Sequence, residues 1–333
     1  MGSVQCPEYK VAIIDQGGTR YDVTPVLVDL VLSEKDGEVA QKATITIANI
    51  QVDGKNFTSI VQVRCRVFVY ADTGEKNGEI FRGFVWERPY RSDKEKLLTL
   101  VCYDNLIYFQ KSEDYQYFSP GLSTSSICNT LCSKWGVKLK YNTDSITHPK
   151  LPLRGRLSEI FLEDLLGEVR KKKGTKSVMR SIEDVVCIDK FGSNSTVYQF
   201  TRREGGNSLF TQSSVSMDNM ITKVIILGKE DKDERAPVSA TVAGNTGTYG
   251  TLQKVLTAST GTSLADAKAE ANELLKDYGK PERGFTLAAV DVPWIRKGDK
   301  INVKAGDMVG DFYVLSVTHD AMKKTMEMEC EQA

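Results

Sequence analysis

Two histidines are all the imidazole in this chain of 333 residues: His148 beside Pro149, and His319 within an expected hairpin. Neither stands where a Ser or Cys nucleophile would be activated, so they read as a turn residue and an exposed strand residue. Cys128 and Cys132 are spaced i, i+4, which could present two metal ligands on one helix face. A zinc site asks for about four ligands. Here the pair lies beside Ile127, Leu131 and Trp135, with His148 the only nearby histidine, and core packing is the better account. The run Lys171, Lys172, Lys173 followed by Gly174-Thr175-Lys176 resembles a phosphate loop superficially. Its order is wrong, because such a loop joins a strand to the start of a helix, whereas this run closes a helix, where lysines answer the negative end of the dipole. Glu163 and Asp164 fall on a helix's polar face. A glycosidase's two acids can come from anywhere in a chain, so that chemistry stays open. No catalytic, cofactor-binding or metal-ligating residue is assigned, and no cofactor.

Charge and hydropathy narrow the classes further. Forty-four Lys plus Arg balance 44 Asp plus Glu, which argues against a general nucleic-acid or anionic-membrane binder. No apolar run approaches the roughly eighteen residues of a membrane span, and no charged-then-apolar leader is present. The expectation is a protein that stays in the compartment where it is made, without disulfides. The cysteine count is odd at seven. Cys65 alternates with Val61, Val63, Val67 and Val69, and Cys102 follows Leu98 and Leu100, the pattern of buried free thiols in strands.

The elements that must position these residues begin with about six strands: Tyr9 to Asp15, Val23 to Leu32, Ala43 to Ile47, Val61 to Tyr70, Glu79 to Glu87 and Glu95 to Tyr103. Pro25 marks a strand start or an edge. Regular spacing without a helix suggests a barrel or sandwich. Helices follow at Ser123 to Trp135 and Ser158 to Lys173, closed by Gly136 and Gly174, with strands Val137 to Tyr141, Ser177 to Ser181, Val185 to Asp189 and Thr196 to Thr201. A last β-region opens at Ser214. Within it, Lys229 to Gly250 reads as a loop that is disordered or ordered by a partner. Ser263 to Tyr278 reads as a helix capped by Ser263, stopped by Gly279 and Pro281, and packed outside that β-region.

The two ends of the chain carry the same strand pattern. Val67, Val69 and Ala71 lead to Asn77-Gly78-Glu79-Ile80-Phe81, a strand through Val85, and a strand with Leu98, Leu100 and Cys102. Ile301, Val303 and Ala305 lead to Val309-Gly310-Asp311-Phe312-Tyr313, a strand through Val317, and a strand with Met326, Met328 and Cys330. Loops shorten in the second copy while the period of two is kept, as in diverged duplicates. Gly78 is expected on Gly310 and Val85 on Val317.

Several segments resemble XkdQ/YqbQ-type hub proteins of phage-like contractile tails. They are Leu98-Thr99-Leu100-Val101-Cys102-Tyr103-Asp104-Asn105-Leu106-Ile107-Tyr108-Phe109, Met217-Asp218-Asn219-Met220-Ile221-Thr222-Lys223-Val224, Tyr249-Gly250-Thr251-Leu252-Gln253, the Ala-rich helix Leu264 to Leu275, and Lys297-Gly298-Asp299 before Ile301. The resemblance spans most of the chain in order; 144–203 is its least familiar part. It implies a mainly β fold with an α+β insertion: tube-like β-barrel or sandwich domains at 1–104 and 214–333, with the loop 229–250 and helix 263–278 inserted in the second, linked to a smaller α+β domain at 105–213. It implies a structural, non-enzymatic hub, a homotrimer joining a six-fold tail tube to a trimeric spike. Three copies of a duplicated chain would meet both symmetries. Implied partners are other copies of itself, the tail tube protein, the spike protein, the tape-measure protein and other baseplate components, with no membrane insertion and no sequence-specific nucleic acid. Implied localisation is the bacterial cytoplasm during assembly, then the tail tip of the released particle. The alternatives are a cell-wall (peptidoglycan) hydrolase and a glycan-binding component, for which Trp86, Tyr90 and Trp294 are the stacking candidates.

Overall fold

Strict alternation builds the N-terminal strands. In Lys42–Ala48, Ala43, Ile45 and Ile47 are buried while their neighbours are half-exposed, and Leu97–Tyr103 repeats this with Leu98, Leu100 and Cys102. The two strands pair antiparallel, Ile45 opposite Leu100 and Ala43 opposite Cys102. The structure is a computed structural model that describes residues 6–52, 54–89, 96–202, 205–228, 236–257 and 263–333, and it is mainly β. The chain divides into two units. One holds the residues up to Gln212 together with Thr286–Ala333, and the other is Ser213–Phe285.

In the larger unit, a single sheet runs in the order Arg20–Asp22, Glu8–Ile14, Arg66–Asp72, Asn77–Glu87, Leu97–Tyr103, Lys42–Ala48, Leu27–Glu34, Met308–Asp320, Thr325–Gln332. Both chain ends therefore share one sheet, joined where Leu32 faces His319 and Glu34 faces Val317. Lys300–Ala305 pairs with the 308–313 end of Met308–Asp320, on the edge opposite Thr325–Gln332, and Tyr198–Thr201 runs parallel to Lys300–Ala305. One core, including Leu30, Ile45, Val67, Phe81, Leu100 and Ala321, underlies the sheet. A second core belongs to the middle of the chain. There the helix Thr124–Lys134, capped by Ser123, buries Ile127, Cys128, Leu131 and Cys132. The helical span 157–173, with a π turn at Ile160–Leu165, buries Phe161, Leu165 and Val169, and Gly174 closes it in the left-handed conformation.

The two terminal meanders can be compared strand by strand. Val85 and Val317 each lie buried in the middle strand of their meander, Asn77–Glu87 and Met308–Asp320. Each middle strand carries a bulge toward the third strand, between Val85 and Glu87 in one and Val314 and Ser316 in the other. Pairing differs by two residues: Gly78 faces Ala71, whereas Gly310 faces Val303, and Val85 faces Cys102, whereas Val317 faces Met328. A shift of two leaves every side chain on its own face.

Several expected elements take another form. Residues 61–65 do not extend the strand Arg66–Asp72: Arg64 has φ 70, and Cys65 N–H donates to Gln62 O, so the chain turns there and leaves Val63 48% exposed. Pro25 begins a short 3-10 turn, Thr24–Val26, before the strand Leu27–Glu34. The span 229–250 is not one open loop. Residues 229–235 lie outside the described residues, but Val238–Ala243 is a strand antiparallel to Lys223–Leu227, and Thr246–Tyr249 is a helical turn. The helix Leu264–Tyr278 buries Ala267 and Ala271 against that small sheet within Ser213–Phe285. The unit boundaries fall at 212/213 and 285/286, none falls at 104, and strand pairing holds Thr286–Ala333 with the N-terminal strands.

Candidate functional site

The two histidines are structural. His319 is 2% exposed, correcting the expectation of an exposed strand residue. Its Nδ1 lies 2.7 Å from Asp291 Oδ1 and its Nε2 3.0 Å from Ile295 O, so both ring nitrogens face partners within the protein. The Tyr9 hydroxyl donates to the other Asp291 oxygen, and burial beside that carboxylate pushes the Tyr9 pKa far above the usual phenol value. Three distant segments are thereby braced on one carboxylate. His148 is also buried rather than set in an open turn; its Nε2 bonds Thr124 Oγ1 at 2.9 Å, and burial holds its pKa below the usual value.

A second buried network centres on Glu34. Arg296 grips it through Nε at 2.6 Å and Nη2 at 3.0 Å, and Lys297 N–H donates to it at 3.2 Å. Burial works to raise the Glu34 pKa, but the Arg296 charge and hydrogen bonds prevail and hold it at about 2. Asp299 caps the Arg296 turn by accepting its N–H at 2.9 Å, and it also takes Arg180 Nη1 at 2.8 Å, bringing in the strand Ser177–Ile182. Gly298, at φ 89, is the residue the turn requires: a Cβ there would stand 2.6 Å from Val178 Cγ1. Lys297 Nζ donates to Lys35 O at 3.1 Å and to Glu38 O, and burial lowers its pKa. Asp104 lies buried nearby, accepting from Gln41 N–H at 3.1 Å and Leu106 N–H at 3.0 Å; burial pushes its pKa up to about 7.

Within each unit, motifs behind the family resemblance lie together. Asp104 and the Lys297-Gly298-Asp299 turn belong to this buried frame. In the smaller unit, Thr222 Oγ1 donates to Gly250 O at 2.7 Å and accepts Leu252 N–H at 2.8 Å, which locks the Met217 to Val224 segment onto the Tyr249 to Gln253 segment.

No group of three or more metal-ligating side chains occurs among the described residues. Cys128 and Cys132 are buried thiols whose pKa values burial raises, that of Cys132 to about 12. Glu163 and Asp164 are exposed on the π turn. Trp86 packs edge-on to Tyr103 and Tyr108, Trp294 is capped by Lys76 at 4.1 Å, and Tyr90 lies outside the described residues. The frame residues Glu34, Arg296 and Asp291 carried no motif of their own. Period-two parity held part of the signal: Glu34 follows Leu30 and Leu32 on the inward side, and His319 follows Val317.

A β-rich scaffold pinned by buried polar networks defines the class, and the comparisons give its relatives. The tail protein of Neisseria meningitidis MC58 matches with a TM-score of 0.68 at 13% identity, over 97% of this chain and 96% of that one. The prophage MuSo2 43 kDa tail protein of Shewanella oneidensis matches at 0.67 and 12%, over 98% of each chain. The E. coli c3393 protein, a type VI secretion component with structural similarity to the T4 tail proteins gp27 and gp5, matches at 0.54 and 8%, over 92% of this chain and 74% of that one. At such identities the fold is what is shared. No curated protein matches by sequence. This chain belongs to the YQBQ-like family, whose profile matches residues 35–331.

Proposed function

We propose that the chain is a structural hub at the tip of a contractile tail or injection particle. Three copies close a ring whose six terminal β-units continue a six-fold tail tube above and present three-fold symmetry to a trimeric spike below. The observation that carries this reading is the pair of bulged meanders held in one sheet within one chain. A closed ring of three such chains has three true and six approximate repeats, which suits both neighbours. Tube protein, spike, tape-measure protein and other baseplate components are then the partners, met during assembly in the bacterial cytoplasm, and the chain ends at the tail tip of the released particle. The reading includes no catalytic centre; both ring nitrogens of the buried His319 and Nε2 of the buried His148 face structural partners. Reconstruction of the assembled tail tip tests it: three copies around the tube axis are expected. Any other stoichiometry, an off-axis position, or peptidoglycan hydrolysis abolished by a single acid-to-amide change defeats it.

A further inference from the structure

Counted from Gly78 and Gly310, the first turn of the two meanders is one structure built twice. Tyr70, Ala71 and Asp72 face Glu79, Gly78 and Asn77, and Asn302, Val303 and Lys304 face Asp311, Gly310 and Val309, so the same pairs recur in the same order. The turns match as well. Thr73-Gly74-Glu75-Lys76 closes through Thr73 N–H to Lys76 O at 2.9 Å, and Ala305-Gly306-Asp307-Met308 closes through the pair Ala305 and Met308. In each, a glycine takes the first central position in the left-handed region, φ 77 and φ 58, and an exposed acid, Glu75 or Asp307, takes the second. The two-residue shift in pairing thus cancels the difference in turn length that the sequence pattern suggests.

This likeness is confined to one end of the meanders. Further along the strands, a bulge between Val69 and Tyr70 enters the first copy, whereas Lys300–Ala305 pairs without one. At the opposite end, residues 88–96 join the second and third strands of the first meander, against only 321–324 in the second. The two like turns also lie on the same side of the shared sheet. From Asn77–Glu87 to Met308–Asp320 the sheet passes four antiparallel pairings, through Leu97–Tyr103, Lys42–Ala48 and Leu27–Glu34. An even number of reversals leaves the two middle strands running the same way, so turns 73–76 and 305–308 stand at one end of the sheet and connections 88–96 and 321–324 at the other.

We infer that the end carrying Gly74-Glu75 and Gly306-Asp307 is the docking surface for a ring of identical subunits that repeats twice per copy of this chain, each subunit placing a cationic group on Glu75 or Asp307. Such a partner must make one contact at two places on the chain. These turns supply it, agreeing in pairing, length, backbone conformation and the sign of the exposed tip charge. Flanking residues do not agree: Asp72, Lys76 and Asn77 stand where the second copy has Lys304, Met308 and Val309, which confines the common contact to the turn tips. The opposite end, with connections of unequal length, fits a partner that meets each chain once. The likeness of the turns stands on the pairing alone, while a partner that repeats twice per chain rests on the hub reading, where it is the tail tube.

The test places photoreactive benzoylphenylalanine at position 75, 307 or 322 of the full chain in assembled particles; Met322 is exposed in the connection 321–324. Positions 75 and 307 are expected to cross-link to one and the same protein, the tube protein, and position 322 to a different one. Cross-links from 75 and 307 to two different proteins, from 322 to the tube protein, or from neither 75 nor 307 overturn the proposal. E75K/D307K is expected to lower co-sedimentation of the full chain with purified tail tubes about tenfold, and unchanged co-sedimentation overturns it as well. Failure of the hub reading looks different: the tail-tip reconstruction would then show another stoichiometry or an off-axis chain. Three axial copies with the 321–324 end against the tube would defeat this inference alone.

Discussion

Asp104 shows how burial sets the chemistry of single residues in this protein. Its pKa rises from 3.8 to about 7, so between those values the folded state holds a proton the unfolded state releases. Stability from this group is full below about pH 4 and falls as pH climbs to about 7, by an order of 4 kcal/mol at most. Glu34 acts in the opposite sense: its pKa falls from 4.5 to about 2, so its contribution is present above 4.5 and is lost as pH drops toward 2. Asp104→Asn is expected to flatten the decline of denaturant midpoint between pH 4 and 7, and an unchanged slope would sink the assignment. Arg296→Met leaves Glu34 buried and unpaired and is expected to cost about 3–5 kcal/mol, while Glu34→Gln combined with Arg296→Met recovers much of it. Equal losses in the single and double variants would show that the pairing is not the source. The expected strand stopped at Leu32, short of Glu34, and nothing local points to the partner of Glu34, which stands 262 residues away in the chain.

At the scale of elements, strands and capped helices were readable because alternation and end residues act locally. Leu264–Tyr278 carries the Ser263 cap expected of it, and Ser123 caps Thr124–Lys134 in the same way. Interruptions were harder to read, because Arg64 adopts a left-handed conformation without being glycine, and the strand Val238–Ala243 forms only by pairing with Lys223–Leu227. Hydrogen exchange of the isolated protein is therefore expected to protect the paired amides of Val238–Ala243 before any assembly; rapid exchange there would restore the open-loop picture. Close strand approach gives a second expectation. A Cβ on Gly83 would lie 2.2 Å from Tyr103 O, whereas on Gly78 its nearest neighbour is Trp294 at 3.7 Å. Gly83→Ala should cost roughly 1–3 kcal/mol or more, and Gly78→Ala far less, as read by thermal melts. Similar losses at both sites would place the close approach elsewhere.

For the whole molecule, the repeated ends were legible as two patterns, but their fusion into one sheet was not, since pairing between residues 31–34 and 317–320 leaves no local trace. That fusion has a consequence for independence. Cut at residue 104, the N-terminal strands lose four kinds of support together: the partner strand Met308–Asp320 for Leu27–Glu34, the Arg296 counter-charge for Glu34, the Asp291 acceptor for Tyr9, and the packing of Ala321. What remains is an apolar strand with an open edge and a buried carboxylate without its cation, a combination that favours aggregation over folding. A fragment of residues 1–104 is accordingly expected to be insoluble or to lack cooperative melting, even though it contains about six strands and most of a core. Adding the terminal segment 286–333 in trans is expected to raise its soluble yield, and Arg296→Met in that segment to abolish the gain. A fragment of 1–104 that melts cooperatively by itself would show that the two β-units are independent domains, linked only by the chain.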